Sequence, residues 1–179
     1  MRVITGSAGG RKLKSPENDA VRPTTDQVKE AVFNILQFDL EGRRVLDLFG
    51  GTGQLGIEAL SRGAREAVFV DSSRASVSLI RENLKTCGMQ AEVLQTDALN
   101  YLGRGEKFDI IFIDPPYDAG LYTAVLERIN AVDNLTEGGI IIVEARASEA
   151  LPAMKAPYKM LREKKYGSVK IGLYTKELL

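Results

Sequence analysis

From Gly42 to Glu144 short apolar runs alternate with segments whose apolar residues recur at helical spacing. This alternation restricts the possible folds more than any other feature of the chain. The runs Arg44–Leu48, Ala67–Val70, Ala91–Gln95, Phe108–Ile113 and Ile140–Glu144 read as strands, and helices fit between them at 54–62, 73–86, 98–102 and 120–130. Gly63 and Gly88 stand where helix C-termini are expected. Two runs, IIFI at 110–113 and IIIV at 140–143, are apolar without alternation. A strand needs that only when both of its faces are covered, as in a parallel sheet between helices. Residues 158–176 instead read as two adjacent strands around Tyr166-Gly167, an antiparallel hairpin. The fold class is therefore α/β, a doubly wound, mostly parallel sheet with a C-terminal antiparallel hairpin. Right-handed crossovers bring the strand C-termini to one edge, where ligands collect.

Ahead of this pattern, Arg2–Thr5 and Arg11–Lys14 read as a small β unit joined by the turn SAGG. A loop with Pro16 and Arg22-Pro23 follows. Thr24 and Gln27 are spaced as a capping box, and Val28, Ala31, Val32, Ile35 and Leu36 form one apolar helical face. Residues 1–22 are thus an N-terminal β extension of a single domain spanning 1–179.

Several chemistries are excluded early. With no histidine among 179 residues, Ser-His and Cys-His nucleophilic catalysis is ruled out, and the usual neutral-pH base is missing. One cysteine, Cys87, permits neither an internal disulfide nor a multi-cysteine zinc site, and its expected role is helix-end packing. No metal site is expected. No run approaches the roughly 18 apolar residues of a membrane span, and MRVITGSAGGRK lacks the apolar core of a signal peptide. The expectation is a cytoplasmic protein without a membrane partner. With no long apolar interface stripe, a monomer is expected. The net charge of zero hides segregation. Residues 71–150 carry −6 (7 basic and 13 acidic side chains), and residues 151–179 carry +5 (7 basic and 2 acidic). The basic tail is either a solvated surface or a footprint for a polyanion such as RNA.

The stretch LDLFGGTGQLG, residues 46–56, contains Gly51-Thr52-Gly53-Gln54-Leu55-Gly56, a G-x-G-x-x-G pattern, and Asp71 follows at ribose-binding distance. Four acids stand at the strand ends: Asp47, Asp71, Asp97 and Asp114. A dinucleotide would bring a doubly negative pyrophosphate to the helix N-terminus, and Asp47 would oppose it. S-adenosylmethionine has no phosphate and carries an ammonium and a sulfonium, which carboxylates stabilise. Asp71 would accept from the ribose hydroxyls, and Asp97 from the adenine amine, with Ala98 supplying backbone. Gly51 and Gly53 allow close approach and a sharp turn for either ligand. The chain also has no room for a second, substrate-binding domain. The acids favour the methyl donor over NAD.

Asp114-Pro115-Pro116-Tyr117 follows the strand FDIIFI. Taken alone, D-P-P is only a rigid strand terminator. With the glycine loop it resembles the tetrapeptide of Rossmann-like, S-adenosylmethionine-dependent amino-methyltransferases of nucleic acids. An exocyclic base amine is a poor nucleophile because its lone pair is delocalised. Two acceptors aimed at its N–H bonds, the Asp114 carboxylate and the Pro115 carbonyl, favour the pyramidal nitrogen, and the prolines hold that carbonyl in place. Tyr117 can stack on the target base once it has left its helical stack.

The segments RVITGSAGGRKLKSP, VRPTTDQVKEAVFNIL, VLDLFGGTGQLGIEALSRGA, VFVDSS and FDIIFIDPPY together resemble the RsmD family, bacterial enzymes that methylate the exocyclic N2 of a guanine in 16S ribosomal RNA of the small ribosomal subunit. The resemblance implies a Rossmann-like methyltransferase sheet and S-adenosylmethionine as cofactor. It implies cofactor contacts at Asp47, Gly50, Gly51, Thr52, Gly53, Asp71, Ser72, Asp97, Ala98 and Asp114. It further implies catalytic roles for Asp114, Pro115, Pro116 and Tyr117, and places Arg22 and Thr24 near the substrate mouth. Arg11, Lys12, Lys14 and Arg22 are the basic candidates for RNA contact on the N-terminal extension. The alternatives are a DNA or other RNA amino-methyltransferase with the same chemistry, or a non-catalytic rRNA-binding assembly factor.

Overall fold

The structure is a computed structural model, described for residues 1–17, 25–116 and 120–177. In chain order its elements are α1 (Asp26–Leu36), β1 (Arg44–Asp47), α2 (Gln54–Ser61), β2 (Glu66–Asp71), α3 (Arg74–Thr86) and β3 (Glu92–Gln95). They continue with α4 (Ala98–Leu102), β4 (Phe108–Ile113), α5 (Leu121–Val132), β5 (Leu135–Arg146), β6 (Tyr158–Tyr166) and β7 (Val169–Lys176). The seven strands form one sheet in the order β3-β2-β1-β4-β5-β7-β6. Strands β1 to β5 run parallel, and the β6–β7 hairpin joins antiparallel. The order reverses between β1 and β4, which opens a crevice at the strand C-termini.

The unalternating runs have the expected cause. Ile110, Phe112 and Ile142 pack with α1, α2 and α3 residues such as Phe33, Ile57 and Ile80. Their neighbours Ile111, Ile113, Ile141 and Val143 pack on the other face with Tyr101 of α4 and Val125, Leu126 and Ile129 of α5. Each face is thus a dry core, so both parities of these strands must be apolar.

Four local readings change. Strand β5 begins at Leu135 and not at Ile140, because the pairing shifts register past Phe108 and so takes Thr136 to Gly139 into the strand. A Cβ on Gly139 would stand 2.9 Å from the Asp109 carbonyl, so this close strand approach needs glycine. The N-terminal unit is a single bridge, Arg2 to Lys12, and not two strands. The reason is that the Ile4 and Thr5 N–H groups donate to the Glu58 carboxylate of α2, at 2.8 and 3.1 Å. Thr25 caps α1, accepting from the Val28 N–H at 3.3 Å; the expected cap, Thr24, lies outside the described residues. The buried face of α1 is Val28, Lys29, Val32, Phe33 and Leu36, turned from the expected stripe toward Lys29. Lys29 is buried with Glu58 (3.5 Å), which also pairs with Arg62 at 2.9 Å. Burial pushes the Lys29 ammonium below its ordinary pKa against the pull of Glu58. Cys87 caps α3 and packs against the core, as expected of it.

Candidate active site

The glycine loop is held by its own backbone and by the strands beside it. Leu48 N–H donates to the Phe112 carbonyl (3.1 Å), Gly50 N–H to the Val70 carbonyl (2.9 Å), and Gly53 N–H to the Gly50 carbonyl (2.7 Å). Gly51 and Gly53 take φ of 59° and 82°, a region that side chains disfavour. A Cβ on Gly56 would stand 2.3 Å from the Phe69 ring. The third glycine of the pattern therefore lets α2 pack closely on β2.

Above this loop lies a cavity of about 650 Å³, within the usual size for small-molecule sites. Its wall includes Gly50, Gly51, Thr52, Asp71, Ser72, Asp97, Ala98, Asp114, Pro115 and Pro116. Ten of the sequence-derived residues thus meet in one place. Asp71 has a second task beside the cavity, accepting the Gly51 N–H at 3.0 Å and the Ser73 N–H at 2.9 Å. Asp97 caps α4 by accepting the Asn100 N–H at 3.0 Å. Asp114 is half-buried.

Two of the sequence-derived cofactor residues stand elsewhere. Gly53 is the N-cap of α2 and shapes the loop from behind the wall. Asp47 is 2% exposed and lies outside the cavity wall. Strand alternation sends its side chain to the face covered by α2, where it accepts the Gly56 N–H at 3.0 Å. Burial raises its carboxyl from the usual 3.8 to about 7, with the nearby Asp71 charge adding to the shift and the Gly56 bond opposing it. Asp47 is therefore partly protonated near neutrality and acts by bracing the loop from below. Tyr117, Arg22 and Thr24 lie outside the described residues. Arg11, Lys12 and Lys14 are exposed on the N-terminal segment, and Lys14 is paired with Glu82.

Three residues of the site had not been singled out. Glu144, near the end of β5, lines the cavity and is 7% exposed. Gln54, the first residue of α2, also lines it, and its buried Oε1 has no hydrogen-bond partner. Asn83 on α3 joins the extension to the glycine loop. Its Nδ2 donates to the Lys14 and Thr52 carbonyls at 3.1 and 2.9 Å, and its Oδ1 accepts the Lys14 N–H at 2.7 Å. A polar residue on a helix face otherwise made of Val77, Ile80 and Leu84 was the available signal for Asn83, as an acid in the IIIVE run was for Glu144.

Electrostatically the described wall of the cavity is acidic. Asp71, Asp97, Asp114 and Glu144 share its wall, which among the described residues carries no lysine or arginine. A pyrophosphate would meet this wall at a Coulombic cost, whereas a cationic ligand is stabilised there. The orphaned Gln54 Oε1 calls for a donor, such as an ammonium. These groups fit S-adenosylmethionine. Among the described residues no cluster of His, Cys, Asp and Glu is arranged to hold a metal ion, and no helix is long and apolar enough to cross a membrane.

Residues 1–175 match the family model described as Conserved hypothetical protein 95. The chain is 40% identical to the Bacillus subtilis protein YlbH, over 98% of this chain and 99% of that one. It is 36% identical to ribosomal RNA small subunit methyltransferase D of Escherichia coli strain K12, over 99% and 90% of the two chains. A solved structure of the Escherichia coli protein yhhF superposes with a TM-score of 0.89 at 34% identity, covering 100% of this chain and 99% of that one.

Proposed function

The chain belongs to the family described as Conserved hypothetical protein 95, and from that premise we propose that it methylates the exocyclic N2 amine of a guanine in 16S ribosomal RNA of the small ribosomal subunit. It is an S-adenosylmethionine-dependent rRNA methyltransferase, as its relatives' names and its fold indicate; the base and the nitrogen are our assignment. The observation that carries it is the cavity whose wall holds Asp71, Asp97 and Glu144 and ends at Asp114-Pro115-Pro116. S-adenosylmethionine, when bound, supplies an electrophilic methyl group on a sulfonium.

In this reading each wall residue has a defined task. Asp71 accepts from the ribose hydroxyls while keeping the Gly51 and Ser73 N–H groups, since a carboxylate offers about four acceptor positions. Asp97 accepts from the adenine amine, with the Ala98 backbone beside it. Gly50, Gly51, Thr52 and Ser72 form the close wall, and Gln54 Oε1 accepts from the ammonium. Asp114 and the Pro115 carbonyl each accept one N–H of the target amine, which localises the nitrogen lone pair. Pro116 keeps that backbone from reorganising. Tyr117 stacks on the extruded base. The amine proton becomes acidic only as the new bond forms, so a strong base is unnecessary and the absence of histidine costs nothing. Positioning supplies much of the rate. Arg11, Lys12, Lys14 and Arg22 contact the RNA from the extension of residues 1–22, with Thr24 just beyond it, and the protein acts as a cytoplasmic monomer.

The test is methyl transfer from labelled S-adenosylmethionine to small ribosomal subunits that lack the modification, followed by nucleoside analysis. Label recovered as N2-methylguanosine is expected. Label in adenine, in DNA, or in no nucleoside would reject the assignment.

A further inference from the structure

The sheet register brings a second acid to the target end of the cavity. Ile113 of β4 is aligned with Val143 of β5, so Asp114 and Glu144 are the next positions along neighbouring parallel strands. Adjacent strands lie about 4.8 Å apart, and both residues line the cavity. Asp71 and Asp97 belong to the other end, at the tips of β2 and β3, with β1 and β4 lying between them and β5. Glu144 therefore sits beyond Asp114 from the nucleoside-binding side, and at 7% exposure it is held in the wall and not in solvent.

Bases that carry an exocyclic amine differ at the adjoining ring nitrogen of the Watson–Crick edge. Guanine presents its N1–H, a donor, beside the N2 amine. Adenine and cytosine present a bare acceptor, N1 or N3, beside theirs. An ionised carboxylate only accepts. Two neighbouring carboxylates thus match an amine plus an N1–H, and they leave a bare ring nitrogen buried and unpaired. We propose that Glu144 accepts the N1–H of the target guanine while Asp114 and Pro115 hold its amine, so that Glu144 selects guanine over adenine and cytosine. This rests on the guanine-N2 reading above. Glu144 already interacts with a neighbour, and the several acceptor positions of a carboxylate let it keep that contact while taking the base.

The test compares the wild type with Glu144→Gln on small-subunit RNA carrying either guanine or 2-aminopurine at the methylated position. 2-Aminopurine keeps the amine but has a bare N1. The wild type is expected to prefer guanine by roughly 10- to 100-fold in kcat/KM, the discrimination of one base-edge contact. Glu144→Gln can turn an amide donor toward N1, so its preference should fall at least about tenfold, with any rise in the S-adenosylmethionine Kd well below that factor. Glu144→Asp should turn over more slowly yet still prefer guanine. An unchanged preference in Glu144→Gln overturns the proposal, as does a Kd for the cofactor that rises by the factor lost in kcat/KM. If Glu144→Gln does not fold, the Asp variant decides, and loss of its guanine preference overturns the proposal. A wild type that forms no N2-methylguanosine overturns the underlying reading, a result separable from the others.

Discussion

The two edges of the sheet treat their acids in opposite ways. At the strand N-termini acids stand beside cations. Arg44 holds Glu66 at 3.2 Å and Glu106 at 2.7 Å, and Asp133 takes Lys107 and Lys176, each at 2.8 Å. Asp133 also accepts the Tyr158 hydroxyl at 2.6 Å. Partial burial alone would raise its carboxyl, but these donors outweigh it and hold the group well below the usual carboxylate range. At the strand C-termini Asp47, Asp71 and Asp97 accept backbone N–H groups, with no salt bridge among the described residues. The first edge neutralises its charge within the fold. The second leaves the charge of Asp71 and Asp97 in the cavity wall for a ligand to neutralise, and buries Asp47 beneath it at a cost in stability.

The sharpest way to break this comparison is through pH. Asp47 has a folded pKa of about 7 against 3.8 for an ordinary aspartate. Between these values the folded state keeps a proton that the unfolded state has released, so stability falls as pH rises and levels off above about 7. Asp47→Asn removes this slope and should gain on the order of 4 kcal/mol at pH 8 relative to the wild type. Denaturant unfolding from pH 4 to 8 checks it, and parallel curves for the two proteins would end the argument for a buried, protonated Asp47. Asp114→Ala comes next. It should lower turnover by about 10²- to 10³-fold, the usual cost of losing a positioned transition-state acceptor or donor, with the melting temperature nearly unchanged. Normal turnover would remove Asp114 from the chemistry.

At the opposite edge Asp133→Asn should cost about 1 kcal/mol, discounted because its side chain is 40% exposed. The sign is reversed there. The Asp133 contribution is present above the ordinary carboxylate pKa and is lost as pH falls through its depressed folded value. Cofactor affinity should not move, and a weakened cofactor would mean the two edges are coupled. The smallest effect is expected in the basic tail. Arg162, Lys164 and Lys165 are exposed on β6, the edge strand of the sheet, while Lys159 is tied to Glu177 at 2.6 Å. Lysine-rich edges block unwanted strand pairing. Alanine at 162, 164 and 165 should therefore leave the salt slope of RNA binding unchanged. A slope lower by about one per lost phosphate contact would make the strand an RNA surface.

What the sequence made legible follows from this same architecture. The spans of β4, α3 and α4 emerged nearly to the residue, because a doubly covered strand leaves an unbroken apolar run and an amphipathic helix leaves a period in the sequence. The acids at strand ends were legible as a group for the same reason. The depth at which each side chain sits was not. Asp47 and Asp71 end neighbouring strands and share a face, yet Asp47 is aligned with Phe69, two residues short of Asp71, so it lies beneath α2 with the Gly56 N–H while Asp71 reaches the cavity. Glu144 was hidden inside an apolar run, and only the pairing of β5 with β4 makes it a neighbour of Asp114. The insertion of β7 between β5 and β6 likewise depends on long-range pairing, which no local period encodes. Lys29 occupied a core position of α1 whose meaning required Glu58, 29 residues away in the chain.

The central claim is that the C-terminal edge keeps its carboxylates for a cationic methyl donor. Calorimetric titration of the protein with S-adenosylmethionine, and separately with NAD, tests it most directly. Saturable 1:1 binding of S-adenosylmethionine, weakened more than about tenfold by Asp71→Asn, with no binding of NAD, is the predicted result. Binding of NAD in preference to S-adenosylmethionine would contradict the account.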